Sequence, residues 1–262
     1  MSNVDFHQLG ANFKISLSEV EHPLLSMPLK QLLEEAHSAC LISTYGSMIK
    51  TSNSAASAVA FCNWFAFVPA GVQYLLSVYD TAIDLSPDNL TVELYQGARF
   101  YAFSFKLSQW SAQTAPTEAK QRATWRNQVM VDFYQNTVRP LFERLAETSG
   151  YNVGQLWGQI PPKLYWLMNM FPLECDETAK SRLADDYRAL KEELAPEVFG
   201  CKRNPLNVRE RMIESLQDAN RQVPMRPACC LNYCKADGGY CYACPRVKEA
   251  DRAEQRAQFR AR

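Results

Sequence analysis

Five of the nine cysteines in this chain fall within sixteen positions near its C-terminus: Cys229, Cys230, Cys234, Cys241 and Cys244. They lie in the run Arg226-Pro-Ala-Cys-Cys-Leu-Asn-Tyr-Cys-Lys-Ala-Asp-Gly-Gly-Tyr-Cys-Tyr-Ala-Cys-Pro245, with Gly238-Gly239 as a turn between the halves. Thiols at that density serve crosslinks or soft metal ions. Disulfides need an oxidising compartment, and the start Met1-Ser-Asn-Val-Asp-Phe-His has neither a basic nor an apolar export segment, so they are the weakest expectation. A structural zinc takes four Cys or His ligands, commonly from two Cys-x-x-Cys arms, and only Cys241-Tyr-Ala-Cys244 has that form. The other arm is the vicinal pair Cys229-Cys230, ten residues before Cys241. Four thiolates also suffice for a two-iron, two-sulfide cluster, an anionic group that wants cations nearby. Arg221, Arg226, Lys235, Arg246 and Lys248 flank it in sequence, though each taken singly reads as an ordinary solvated base.

The Cys-Cys pair, ten residues and Cys-x-x-Cys, with an Arg shortly before and a Pro just after, resembles the signature of the FhuF family of siderophore ferric reductases. The resemblance implies a [2Fe–2S] cluster with Cys229, Cys230, Cys241 and Cys244 as its ligands. Cys234 departs from that pattern and is left as a ligand substitute, a spare thiol or a passenger. Upstream, Asn63-Trp-Phe-Ala-Phe-Val-Pro-Ala-Gly71, the stretch from Asp84-Leu-Ser-Pro-Asp88 into Gly97-Ala-Arg99, and the Trp157–Trp166 region are similar to the family's central domain. The resemblance spans residues 55 to 246. It implies cytoplasmic, one-electron reduction of an imported ferric siderophore of the hydroxamate type, releasing ferrous iron. Arg226 and Arg246 are electrostatic candidates for the substrate contact.

The reducing equivalents must come from another protein. No Gly-x-Gly-x-x-Gly follows a strand, so nothing announces a nicotinamide or flavin site. The expected donor is a ferredoxin-like protein or an NAD(P)H-dependent reductase. His7, His22 and His37 form no hydrolytic set, and no paired-carboxylate di-iron motif appears. One electron suffices to release the metal, because ferric iron is held tightly by hard anionic oxygens and ferrous iron is softer and less charged.

A different class of function is a zinc- or iron–sulfur-binding regulatory protein that contacts nucleic acid. The net charge of zero hides thirteen Lys or Arg against seven Asp or Glu in residues 200–262. A basic end attracts nucleic acid, an acidic electron donor or an anionic chelate equally well. No recognition element such as a helix-turn-helix precedes the cysteines, so no nucleic-acid partner is expected.

The elements that must position this site follow from periodicity. With 47% apolar and 21% charged residues, the chain has the composition of a soluble globular protein. Thr51–Tyr79 carries no Lys, Arg, Asp or Glu and is long enough to span a bilayer, but Ser52, Asn53, Ser54, Ser57, Asn63, Pro69 and Gln73 interrupt it. It reads as a buried core helix kinked at Pro69, and membrane association is at most peripheral. From Pro28, the spacing of Leu29, Leu32, Leu33, Ala36, Ala39 and Cys40 predicts a helix to Gly46, with His37 and Cys40 as packing residues. Alternation over Leu90–Tyr95 and Arg99–Phe105 predicts a β-hairpin, with Phe13–Leu17 as a weak further strand. Helices are expected over Thr117–Thr148, interrupted near Pro140, over Asn152–Phe171, bent at Pro161-Pro162, and over Asp176–Leu194.

Gly150, Gly154 and Gly158 recur every four residues, a spacing that allows close helix approach. Ala195–Gly200 reads as a linker and Val208–Leu216 as a short amphipathic segment. In the tail, Arg252, Arg256 and Arg260 share one face of a solvated helix, with donor docking as the sharper alternative. The fold class is α+β, mainly helical, with a small antiparallel hairpin and a C-terminal cluster-binding segment. Its expected parts are an unassigned arm (1–50), a helical reductase-like domain (51–223), the cysteine segment (224–246) and a polar basic tail (247–262).

Overall fold

The computed structural model describes residues 4–261 apart from 170 and 172–174. Helix α1 (Phe6–Phe13) is capped by the Asp5 carboxylate and ends at Lys14, whose backbone is left-handed (φ 64°). Strands β1 (Ile15–Ser16) and β2 (Leu25–Pro28) follow. Pro28 therefore closes an edge strand instead of opening a helix, a place where its missing N–H costs no ladder bond. Helix α2 (Glu35–Met48) starts only after a 3₁₀ turn at Gln31–Leu33, so the leucines of that turn do not continue into its buried face. Leu41, Ile42 and Tyr45 form that face, while Ala36, Ala39 and Cys40 are exposed and His37 pairs with Glu34. The expectation that His37 and Cys40 are core packing residues is thus corrected.

Helices α3 (Ser54–Phe65) and α4 (Phe67–Tyr79) are the expected core helix, broken at Ala66. The break falls one turn before Pro69, which has no N–H for the Phe65 carbonyl and crowds it with its ring. By length and composition this segment could cross a membrane, yet 78% of its most apolar window is buried inside the fold.

Strands β3 (Thr81–Ile83), β4 (Leu90–Gln96), β5 (Tyr101–Leu107) and β6 (Ala112–Thr114) come next. The predicted hairpin is β4–β5, with Leu94 opposite Phe103. Two short strands from the N-terminal arm complete its sheet, in the order β1-β5-β4-β2. Ile15 lies opposite Phe105 in a parallel pair and Met27 opposite Val92 in an antiparallel one. The sheet packs on α3 through Phe61 against Phe103 and Phe65 against Phe105, with ring centroids 5.1 and 5.2 Å apart. Burying each such ring contributes about 1.5–3 kcal/mol.

The long helix after residue 117 is two helices, α5 (Ala119–Phe133) and α6 (Arg139–Ser149), joined by a π turn at Tyr134–Val138. Pro140 leaves the Asn136 carbonyl without its helical donor, and the wider π turn absorbs the fault. Gly150 (φ 64°) ends α6 in the left-handed conformation that favours glycine. Helices α7 (Val153–Trp157), α8 (Pro161–Asn169) and α9 (Glu177–Glu192) complete the body. The Val208–Leu216 segment is extended and contains β7 (Met212–Glu214), paired with β8 (Gln222–Pro224). Helix α10 (Glu249–Arg260) ends the described chain.

Candidate metal centre

The cysteine segment has little regular structure and is held open by local hydrogen bonds. Leu231 takes a left-handed backbone (φ 52°). Its N–H donates to Cys229 Sγ at 3.4 Å, and the Arg246 N–H donates to Cys244 Sγ at 3.5 Å. Gly238 is required sterically, because a Cβ there would lie 1.8 Å from the Asn232 carbonyl oxygen. The Arg226 N–H donates to the Ala243 carbonyl at 2.9 Å and draws the two arms together.

The sulfur contacts run across the arms: Cys229 to Cys244 at 3.5 Å and Cys230 to Cys241 at 4.0 Å. Sequence neighbours suggested the vicinal pair and the Cys-x-x-Cys as units, and the fold nests one inside the other. Two thiolates bound to one tetrahedral metal at about 2.3 Å stand roughly 3.8 Å apart. Both pairs bracket that spacing, so each can hold one metal ion. Among the described residues, no three His, Cys, Asp or Glu side chains are grouped to hold a single ion. The four thiols are thus arranged as two separate pairs.

Cys229 and Cys244 are buried, whereas Cys230 and Cys241 are half-buried. The Cys241 sulfur holds the Cys230 thiol down to about 5, helped by Arg226, and Cys241 is itself pushed up by that contact. Burial pushes Cys229 up to about 11. The close Cys230–Cys241 contact and the Arg226 charge thus favour one thiolate shared by this pair. Cys234 stands apart from both pairs: its sulfur accepts from Asn53 Nδ2 at 3.8 Å, and its carbonyl accepts from Thr51 at 2.8 Å.

Of the five flanking cations, three act at the site. Arg226 donates to Asn63 Oδ1 at 3.0 Å and Gln159 Oε1 at 2.9 Å, so it is a brace between the body and the segment. Arg246 donates to the Tyr233 hydroxyl at 2.7 Å, and Lys235 lies in the field of Cys230. Arg221 and Lys248 are exposed.

Sequence reasoning missed Gln159, what Gly158 packs against and the role of Arg252. Gln159 is fully buried and donates to the Cys229 carbonyl at 3.4 Å while accepting from Arg226. A Cβ at Gly158 would meet Ala228 at 2.4 Å, so within the four-residue glycine repeat it is Gly158 that admits the cysteine segment. Gly154 approaches only its own Asn152, and Gly150 has open space. The tail helix is not solvated on its arginine face. Arg252 is 1% exposed and donates to the carbonyls of Tyr242, Cys244 and Val247. Arg256 and Arg260 reach Glu214 on β7. The arginine spacing along α10 was the legible signal, and its partners were not.

Beside the segment opens a cleft of about 700 Å³, lined by Tyr45, Asn63, Trp64, Phe67, Phe100, Tyr101 and the cations Lys14, Arg99, Lys163 and Lys235. It shares Lys235 with the cysteine segment, and Asn63 with the Arg226 brace. Burial pulls Lys163 down to about 8, with Arg226 and Lys14 adding repulsion.

A mainly helical body that presents a thiol quartet beside an aromatic, basic cleft defines a redox or metal-handling class of protein. The chain matches the family described as ferric iron reductase FhuF-like transporter over residues 63–218, more than half of its length. It belongs to the FhuF-like ferric iron reductase family. The match ends before Cys229. No curated protein matches the chain.

Proposed function

We propose that this protein reduces the ferric iron of an imported siderophore by one electron and releases ferrous iron in the cytoplasm. The observation that carries the reading is the pair of cross-arm sulfur contacts, 3.5 and 4.0 Å, beside an open cleft in a chain of this family. Cys229, Cys244, Cys230 and Cys241 are the ligands of a [2Fe–2S] cluster in the 224–246 segment, and residues 51–223 carry most of the cleft. When bound, that cluster supplies reversible one-electron transfer.

The protein's own residues do the rest. The N–H groups of Leu231 and Arg246 donate to the Cys229 and Cys244 sulfurs, which offsets thiolate charge and raises the reduction potential. Arg226, Gln159 and Arg252 hold the loop rigid, so little reorganisation accompanies the charge change. The cleft seats the chelate against the segment. An external one-electron donor, a ferredoxin-like protein or an NAD(P)H-dependent reductase, supplies each electron. One electron converts ferric to ferrous iron with no bond made or broken in the chelator, and the weaker ferrous complex dissociates.

The test is spectroscopic. Anaerobically purified protein is expected to be red-brown and to give an EPR signal with dithionite that disappears when ferric siderophore is added and ferrous iron accumulates in a trap. Cys230→Ser removes the colour, while Cys234→Ser keeps it because that sulfur lies outside both pairs. A colourless protein with tightly bound zinc overturns the reading, and loss of colour in Cys234→Ser overturns the ligand set.

A further inference from the structure

The cleft contains an electrostatic imbalance. Lys14, Arg99, Lys163 and Lys235 line it together, and no Asp or Glu is among its lining residues. Among the described residues none of these four cations forms an ion pair, although nineteen ion pairs form elsewhere. Three of the four are partly buried. Burial lowers the pKa of Lys14, Lys163 and Lys235, so the fold works against their charge and provides no carboxylate to offset it. Lys163 Nζ sits 3.8 Å from the Phe67 ring centroid and Lys14 Nζ 5.7 Å from it, so the same ring faces both. The cation–π contact stabilises such charge less than an ionic partner in the same place.

The aromatic wall continues through Trp64 to Phe100, with centroids 5.9 Å apart. Phe100 is 62% exposed at the tip of the β4–β5 hairpin, an apolar surface left open to solvent at the cleft's mouth. A cavity near 700 Å³ holds a molecule of several hundred daltons. Lys235 has the Cys230 sulfur as an anionic neighbour, but the half-buried Lys14 and Lys163 repel each other and have none among the described residues. Such cations are completed by an anion, and flat aromatic walls are completed by planar or apolar groups on that anion.

We infer that the cleft selects ferric chelates carrying net negative charge, of catecholate or carboxylate type, over the neutral hydroxamate complexes that the family resemblance implies. This inference rests on the reductase reading for its iron and its electron, so its test measures binding without reduction. Gallium(III) replaces ferric iron in such chelates and accepts no electron under these conditions.

Isothermal titration calorimetry of the cluster-loaded protein is run with three gallium(III) complexes: a triply negative hexadentate tricatecholate, an anionic citrate complex and a neutral hexadentate trihydroxamate. At least one anionic complex is expected to bind tenfold or more tightly than the neutral one, and to weaken as salt rises from 0.05 to 0.5 M. Tricatecholate binding above citrate assigns the planar wall a share in recognition, and the reverse order assigns recognition to charge alone. The Lys163→Gln and Lys235→Gln variants are each expected to lose roughly tenfold or more for the anionic complex and little for the neutral one. The wild-type salt dependence supplies a measurement that needs no variant to fold.

Equal or tighter binding of the neutral complex overturns the inference, as does anion binding that both lysine variants leave unchanged. Absence of binding by all three complexes also overturns it. The ferric complexes assayed in parallel then show whether reduction proceeds from another surface, which leaves the reductase reading standing.

Discussion

Two groups of cations in this molecule meet opposite fates. In the helical body, Asp186 on α9 is fully buried and accepts from Arg122 at both oxygens (2.9 Å each), from Arg126 at 3.2 Å and from Ser77 Oγ at 2.9 Å. Arg122 also reaches Asp80, and Arg126 reaches Glu193, so each guanidinium is answered twice. This cluster pins α9 and α5 to α4. In the cleft, Lys14, Lys163, Lys235 and Arg99 converge with no acid among the lining residues. Answered charges mark architecture, and unanswered charges mark the place where a ligand finishes the electrostatics.

The contrast is broken most severely at Asp186. Asp186→Ala leaves two guanidinium groups in a low-dielectric interior, which costs about 3–5 kcal/mol. The expected result is a fall in the denaturant midpoint at nearly constant slope, with the colour of the proposed cluster retained in the folded fraction. A change under 1 kcal/mol means that water already shares that site.

Lys163 sharpens the contrast because stability and binding move in opposite directions. Burial holds its pKa at about 8, below the ordinary lysine value of 10.5. The folded state therefore releases this proton at lower pH than the unfolded state. Its destabilising contribution is fully present below pH 8 and relieved as pH rises from 8 towards 10.5. Lys163→Gln is expected to keep or raise the melting temperature at pH 7 and to flatten the rise in stability above pH 8. Affinity for anionic gallium chelates is expected to fall over the same pH interval in wild-type protein only, which calorimetry at pH 7 and pH 9 checks.

The smallest effect belongs to Arg99, which is exposed on the hairpin loop. Arg99→Ala is expected to slow anion association and reduce its salt dependence by a factor of about two to five, with dissociation nearly unchanged. Stopped-flow mixing separates the two rates. An equal loss in dissociation would place Arg99 in contact with the bound anion instead.

Much of the framework was legible before the fold. The Cys-x-x-Cys arm and the vicinal pair announced four thiols that the fold brings together, strict alternation announced β4–β5, and an uncharged apolar run announced α3 and α4. Proline chemistry located the faults correctly, although the break fell one turn before Pro69 because the ring acts on the carbonyl four residues back. Strand β2 was not legible: Leu25–Pro28 has too few residues to show a period and gains its conformation from β4. The tail arginines read as solvated because spacing reports a shared face and not what that face covers.

The sequence by itself determined which groups are available: four thiols of fixed spacing, a kinked apolar helix pair, and Lys and Arg residues scattered from position 14 to position 262. Only the tertiary structure decided their company. It paired Cys229 with Cys244 and Cys230 with Cys241, set Gly158 against Ala228, and folded Arg252 of α10 over the Cys244 carbonyl. It also gathered Lys14, Arg99, Lys163 and Lys235 from four distant segments around one cleft. Local spacing encodes periodicity and ligand reach over a few residues, whereas charge balance and cavity shape are sums over neighbours that no local pattern specifies.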